Sequence, residues 1–331
     1  MDIRDRRGLK QQAAAALEAA PHKKKIIALY TGVSLGLSVL LVLADLLLSS
    51  MIEKTSGLSN MGSRIILQTI QGVLPVAQAV FLLVWQYGYL GTVMGMSRLR
   101  MADHRELHHG FRILGPIVRL TMLQYGIAFV LSFSCMYLSA LIFTLSPFAR
   151  PIMDAVAAII GDTAMTQEAL MMDPGVIAAV ENAVVPVMVI FLIIACVLVL
   201  PVIFLFRMAG YCLLDDPRAG ALAALRNSRA MMRSNRLKLL MLDLSFWWYY
   251  LLSGAAMAIC YGDSLLALVG ITLPFGETGN YLLFYGLYLI AQFAYCYFFQ
   301  NYVEVTYVKA YEALKPDPQE GGVVLGNIFQ M

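Results

Sequence analysis

Arg226, Arg229, Arg233 and Arg236 follow one another at spacings of three, four and three, which on a continuous α-helix puts four guanidinium groups on one face. Ala221, Leu225, Met232 and Leu239 mark an apolar stripe beside them, and Lys238 extends the charge. A helix of this kind lies in a membrane interface with its cations toward lipid phosphates. Each such cation is worth about 1 kcal/mol near an anionic leaflet. The competing reading is that the arginines serve only to fix topology.

A second set of residues points to hydrogen bonding inside a membrane. Gln68, Gln71, Gln78 and Gln86 fall within an arc of about 80° on one helix, with Pro75 in the same arc. Further along, Tyr281, Tyr285, Tyr288, Gln292, Tyr295, Phe299, Tyr302, Thr306 and Lys309 alternate spacings of four and three, a heptad seam of hydroxyl-bearing rings and one amide. If the two faces meet, Gln68, Gln71, Gln78, Gln86, Tyr285, Tyr288, Gln292 and Tyr295 line a polar cleft for a headgroup or small amphiphilic solute. The alternative is interhelical hydrogen bonding and aromatic packing, at about 0.6 kcal/mol per bond.

Other chemistry is poorly supplied. His104 and His108 are four residues apart with His109 beside them, but Glu106 lies off that face and no third ligand follows, so no metal is expected. The five cysteines lie in or at the ends of apolar runs and read as small buried hydrophobes. Asp45, Asp243 and Glu304 are near span ends rather than at mid-bilayer, which weighs against an ion-coupled carrier; Asp243 is expected to pair with Lys238 or Arg236. No H-E-x-x-H, G-x-S-x-G, Walker loop or dinucleotide fingerprint is present, so neither an enzyme nor a cofactor is expected.

These residues must be positioned by membrane helices. The 331-residue chain is 60% hydrophobic and 14% charged with a mean hydropathy of +0.72, against about 25% charged residues in soluble domains. Its apolar runs predict an all-α polytopic membrane protein, a single membrane domain over 1–331 with six spans at about 26–48, 66–96, 113–145, 183–212, 239–261 and 281–308. The first run is too long for a signal-peptide core and reads as a retained helix. Residues 1–25 and 213–238 read as cytoplasmic amphipathic helices, 146–182 as an external loop with short amphipathic helices, and 315–331 as a C-terminal tail. Segment 262–280 is either re-entrant or interfacial.

Charge sets the expected orientation. Twenty of the 24 Lys and Arg fall in the N-terminal segment, the 97–112 loop, segment 207–238 and the C-terminal end, against three, Lys54, Arg64 and Arg150, in the alternate loops. This predicts cytoplasmic N and C termini. A basic helical segment precedes spans one, three and five, which suggests a threefold hairpin repeat.

The run Asp215-Asp216-Pro217, Ala221-Leu222, Asn227 to Met232, Ser234 to Lys238 and Leu242-Asp243-Leu244-Ser245-Phe246-Trp247 resembles the signature of a bacterial membrane family, domain of unknown function 975. Arg7, Leu9-Lys10, Ala14 and Leu17 resemble its N-terminal motif, and Gly110-Phe111-Arg112, Tyr307, Ala310-Tyr311 and Leu314 its middle and end. Ser234 stands where the family usually has Gly, and the 146–182 loop is unusually long. The resemblance implies a protein of the bacterial cytoplasmic membrane and brings no activity. The expected function is therefore non-enzymatic: binding or organising membrane lipid, of anionic type, or a protein partner in the membrane, through the basic helices. The alternative is a permease or facilitator using the Gln/Tyr cleft; nucleic acid is not an expected partner.

Overall fold

The computed structural model describes residues 5–55, 61–98, 104–150, 174–268, 270 and 273–315, and among these it is helical with no strand. In chain order the helices are α1 (Arg6–Ala19), α2 (Lys23–Lys54), α3 (Met61–Ser97), a 3₁₀ turn (His104–His108) running into α4 (His109–Arg112), α5 (Leu114–Leu145), α6 (Pro174–Phe206) and α7 (Ala209–Asp215). There follow α8 (Gly220–Met232), α9 (Arg236–Leu244), α10 (Trp247–Cys260), α11 (Gly262–Leu268), α12 (Gly276–Tyr295), a π-helical turn (Cys296–Gln300) and α13 (Asn301–Leu314). The short helices expected within 151–172 and the tail beyond 315 lie outside the described residues.

Five stretches of the described chain are long and apolar enough to cross a membrane: Lys23–Lys54, Met61–Ser97, Leu114–Leu145, Pro186–Asp215 and Thr278–Leu314. The expected span 239–261 is not among them. It breaks at Ser245 and Phe246 into α9 and α10, because the Ser245 hydroxyl bonds back to the Leu242 carbonyl at 2.6 Å and Phe246 leaves the helical region at φ −108°, ψ 22°. Pro75, Pro186 and Pro201, by contrast, sit inside uninterrupted helices.

The chain divides into two compact units, Met1–Val118 with Ala209–Met331, and Arg119–Met208. In the first, the core forms where the N-terminal part of α2, the C-terminal part of α3, α1 and α13 pack together. α1 is held by a stripe of Leu9, Ala13, Ala16 and Leu17, all buried, at the i, i+4, i+7, i+8 spacing of one helical face. Its N-cap Asp5 accepts the Gly8 N–H at 2.9 Å. α13 is the hub, with Val303, Val305, Thr306, Tyr307, Val308, Ala310 and Tyr311 buried around its whole circumference. Asn301 at its start accepts the Tyr89 hydroxyl at 2.7 Å and donates to the Lys23 carbonyl at 3.2 Å, tying α2, α3 and α13 together. The Tyr30 and Tyr89 rings stack with centroids 4.1 Å apart, and Trp85 donates to the Tyr30 carbonyl.

Beyond this core α2 and α3 continue as an apolar pair with outward faces uncovered; Leu40 and Val76 are each 63% exposed. Apolar surface of that extent fits a helix pair set in hydrocarbon. In the second unit α5 and α6 are apolar on nearly every side, and the buried Ser139 satisfies its hydroxyl on the Cys135 carbonyl of its own helix.

Two glycines set the closest approach in the first unit. A Cβ on Gly88 would overlap the Leu107 carbonyl oxygen, and one on Gly110 would overlap the carbonyl of Val84. The 104–112 segment therefore lies directly on the backbone of α3, and no other residue type fits at either point.

Candidate functional site

The four arginines do not share one helix face. α8 ends at Met232, Arg233 caps it and Arg236 opens α9, so the basic segment expected as one helix over 213–238 is three pieces, α7, α8 and the start of α9. Asn235 is the cause: its side-chain amide donates to the Met231 carbonyl at 2.9 Å, supplying a freed acceptor just where the helix stops. Arg226, Arg229 and Arg233 are exposed, whereas Arg236 is half-buried and its Nε has no hydrogen-bond partner. Lys238 is half-buried too. Beneath them the apolar stripe is as expected, with Ala221, Leu225, Met232 and Leu239 all buried. Three cations thus project from a helix whose opposite side is anchored in protein.

The break between α9 and α10 is bound from the far end of the sequence. Lys10 donates to the Ser245 carbonyl at 3.0 Å and lies 4.1 Å from the centroid of the buried Phe246 ring; Arg6 reaches the Met241 carbonyl. Burial, then the neighbouring Arg6 charge, lower the Lys10 pKa from its ordinary value. An open groove of about 490 Å³ is lined here by Asp5, Arg6, Arg7, Lys10 and Ser245.

A charge network that spacing did not reveal joins α3, α7 and α13. Arg98 pairs with Asp215 at 2.9 Å and with Glu312 at 3.1 Å. Lys309 pairs with Glu312 and donates to the Ser97 carbonyl, while Lys315 and the Tyr311 hydroxyl both bond Asp215. Burial works against the Arg98 charge, but bonding to Asp215 and Glu312 outweighs it and raises its pKa. Asp216 caps the next turn through the N–H groups of Arg218 and Ala219. Residues 4–317 match the family described as Protein of unknown function (DUF975). The chain belongs to that family. No curated protein and no solved structure matches it. Its resemblance motifs now have physical roles in this DUF975 protein: Asp215 anchors the network, Asp216 holds the turn before α8, Gly110 permits contact with α3, and Ser245-Phe246 form the break that Lys10 binds.

The glutamines and tyrosines fall into separate groups. Gln71 donates to the Asp45 carboxylate at 2.7 Å and to the Ser49 hydroxyl at 3.2 Å, and Gln78 to the Ser38 hydroxyl at 3.2 Å, so both face α2. Gln68 and Gln86 are exposed. Tyr285 and Tyr288 contact each other's rings, Gln292 donates to the Cys296 sulfur, and Tyr295 packs on Tyr249 of α10 at 4.7 Å. The π turn at Cys296–Gln300 adds a residue to the helical repeat, so the heptad seam does not continue in register into α13. Where α2, α3 and α12 do converge, Gln71 and Tyr281 share a cavity with Asp45.

Asp243 accepts the Tyr307 hydroxyl at 2.5 Å, and Tyr307 in turn meets the Tyr250 hydroxyl at 3.0 Å. Glu304 accepts from Tyr211. His108 lies against the rings of Trp85 and Phe111, and among the described residues no group of His, Cys, Asp and Glu is arranged to hold a metal ion. Asn301 and Arg98 were missed by spacing alone; an amide within an apolar helix and an arginine at a span end, each needing a partner, were the available signals.

Proposed function

We propose that this protein is a non-enzymatic, six-span protein of the bacterial inner membrane, with both termini in the cytoplasm, and that its basic end binds and organises anionic lipid. The observation that carries the reading is the placement of Arg226, Arg229 and Arg233: exposed together, above an apolar stripe locked into the protein. A mobile amphipathic helix would lose ordering entropy on meeting a membrane; this one is already fixed, so its cations are pre-organised for phosphates. The asymmetric distribution of Lys and Arg supports the orientation. The sixth crossing falls on α9 and α10, whose 25 residues from 236 to 260 would span about 37 Å as one continuous helix. The order of short helical segment followed by two long helices, in α1 to α3 and again from His104 to α6, supports a hairpin repeat, with the third copy interrupted at Ser245-Phe246.

Lipid-dependent thermal stability tests the reading. Anything that binds the folded state raises its midpoint by mass action. Phosphatidylglycerol added to the detergent-solubilised protein should raise the melting temperature, and R226Q/R229Q/R233Q should respond much less. An unchanged response in that variant would overturn the reading.

A further inference from the structure

At the other end of α2 from the packed core, α2, α3 and α12 line a half-open cavity of about 390 Å³. Its wall is apolar, with Leu41, Leu46 and Leu74 among the lining residues, and its polar groups are Asp45, Gln71 and Tyr281. Asp45 lies about 33 Å along α2 from Lys23, in the exposed apolar stretch. The Asp45 carboxylate is exposed near the end of the span, and among the described residues no cation pairs with it. Among the described residues Asp45 accepts from Gln71, whose second amide hydrogen goes to Ser49. With both donors used, the Gln71 amide oxygen is left as an acceptor, as are the second Asp45 oxygen and the Tyr281 hydroxyl.

We propose that this cavity binds a primary alkylammonium group, with the ammonium on Asp45 and Gln71 and its chain along Leu41, Leu46 and Leu74. Three N–H donors meet the acceptors present, and one formal negative charge meets one positive charge. A hard metal ion is a poorer match, because calcium takes six to eight oxygen ligands and the apolar wall offers none. A trimethylammonium head is also poorer, since it has no N–H to donate and its usual aromatic cage is here a single ring. The ammonium could come from a phosphatidylethanolamine headgroup or from a free long-chain amine.

The test is calorimetric titration of the full-length protein in neutral detergent with octylammonium and with octyltrimethylammonium. The proposal requires octylammonium to bind more tightly than the trimethyl analogue, and Asp45→Asn to weaken octylammonium by about tenfold or more, the loss expected when a charge-assisted hydrogen bond is removed. Leu74→Trp, which fills the cavity and leaves Asp45 in place, must also abolish binding, and answers the question if the Asp45 variant does not fold. Equal binding by wild type and Leu74→Trp, or by both ammonium probes, overturns the proposal. Native mass spectrometry from nanodiscs of phosphatidylethanolamine and phosphatidylglycerol then separates the sources. Retention of phosphatidylethanolamine by wild type but not by Asp45→Asn supports the lipid, and octylammonium binding without such retention supports a free amine.

Discussion

Lys10 donates its ammonium to the main-chain carbonyl of Ser245 at 3.0 Å, across 235 residues of sequence. The carbonyl is available because the chain leaves the helix at Phe246, and the same ammonium sits over the Phe246 ring. The N-terminal helix is therefore a strap across the break between α9 and α10. Its own apolar stripe holds it to α13 while its cations serve α9 and α10.

Lys10→Met keeps the stem and removes the charge, so it should loosen the break without detaching α1. A loss of about 1–2 kcal/mol is expected from one hydrogen bond and one cation–π contact. Hydrogen exchange should show faster amides at 246–250, with the 301–314 amides unchanged; equal protection in both regions would show that the strap contributes nothing.

Gly110→Ala should be severe and Gly115→Ala should not, although they are five residues apart. The added methyl at 110 meets backbone of α3, which cannot yield, whereas a Cβ at 115 meets nothing within 4 Å. Overpacking against main chain should cost about 2 kcal/mol or more, and alanine at 115 should be neutral or slightly stabilising. Thermal melts of the two variants in the same detergent decide this.

Much of the apolar layout was legible in the sequence, because burial in hydrocarbon needs only length and hydropathy. The α1 stripe was also legible, since it is a face of one period, and so was the stripe of Ala221, Leu225 and Met232 within α8. The break at Ser245-Phe246 was not. Residues 239–261 are apolar apart from Asp243, Ser245 and Ser253, and nothing in the run itself announces the lysine more than 200 residues away that meets the break. The arginine face failed for a related reason: the 3-4-3 spacing assumes an unbroken helix, and Asn235 competes for the Met231 carbonyl. The tyrosine seam assumed 3.6 residues per turn through a stretch that holds a π turn. The four-glutamine face divides: Gln71 and Gln78 bond to α2 while Gln68 and Gln86 are exposed, because periodicity cannot say which neighbour a face meets.

Asn301 and Tyr89 offer a clean double-mutant cycle. Tyr89→Phe removes only the hydroxyl, and Asn301→Ala leaves that hydroxyl and the Lys23 carbonyl without their partner. Asn301→Ala should cost about 2–3 kcal/mol and Tyr89→Phe about 1, with a coupling of about 1 kcal/mol between them. Additive losses would mean the hydrogen bond contributes no stability of its own.

Arg98→Ala should be felt more than loss of a surface ion pair, because it leaves both Asp215 and Glu312 short of a partner. Those groups are only partly shielded, which limits the expected cost to about 1–2 kcal/mol. Guanidinium-free melts at low and high sodium chloride should show the wild type losing part of this margin with salt while Arg98→Ala changes little. The same salt sensitivity in both proteins would contradict a role for the network.

The account rests most heavily on the three exposed arginines in and capping α8, and native mass spectrometry of lipid adducts tests them directly. Titrated with phosphatidylglycerol, the wild type should bind it in preference to phosphatidylcholine, and R226Q/R229Q/R233Q should bind it about a hundredfold more weakly, at about 1 kcal/mol per lost charge. Equal phosphatidylglycerol affinity in the two proteins would contradict the claim that this end of the molecule recognises anionic lipid.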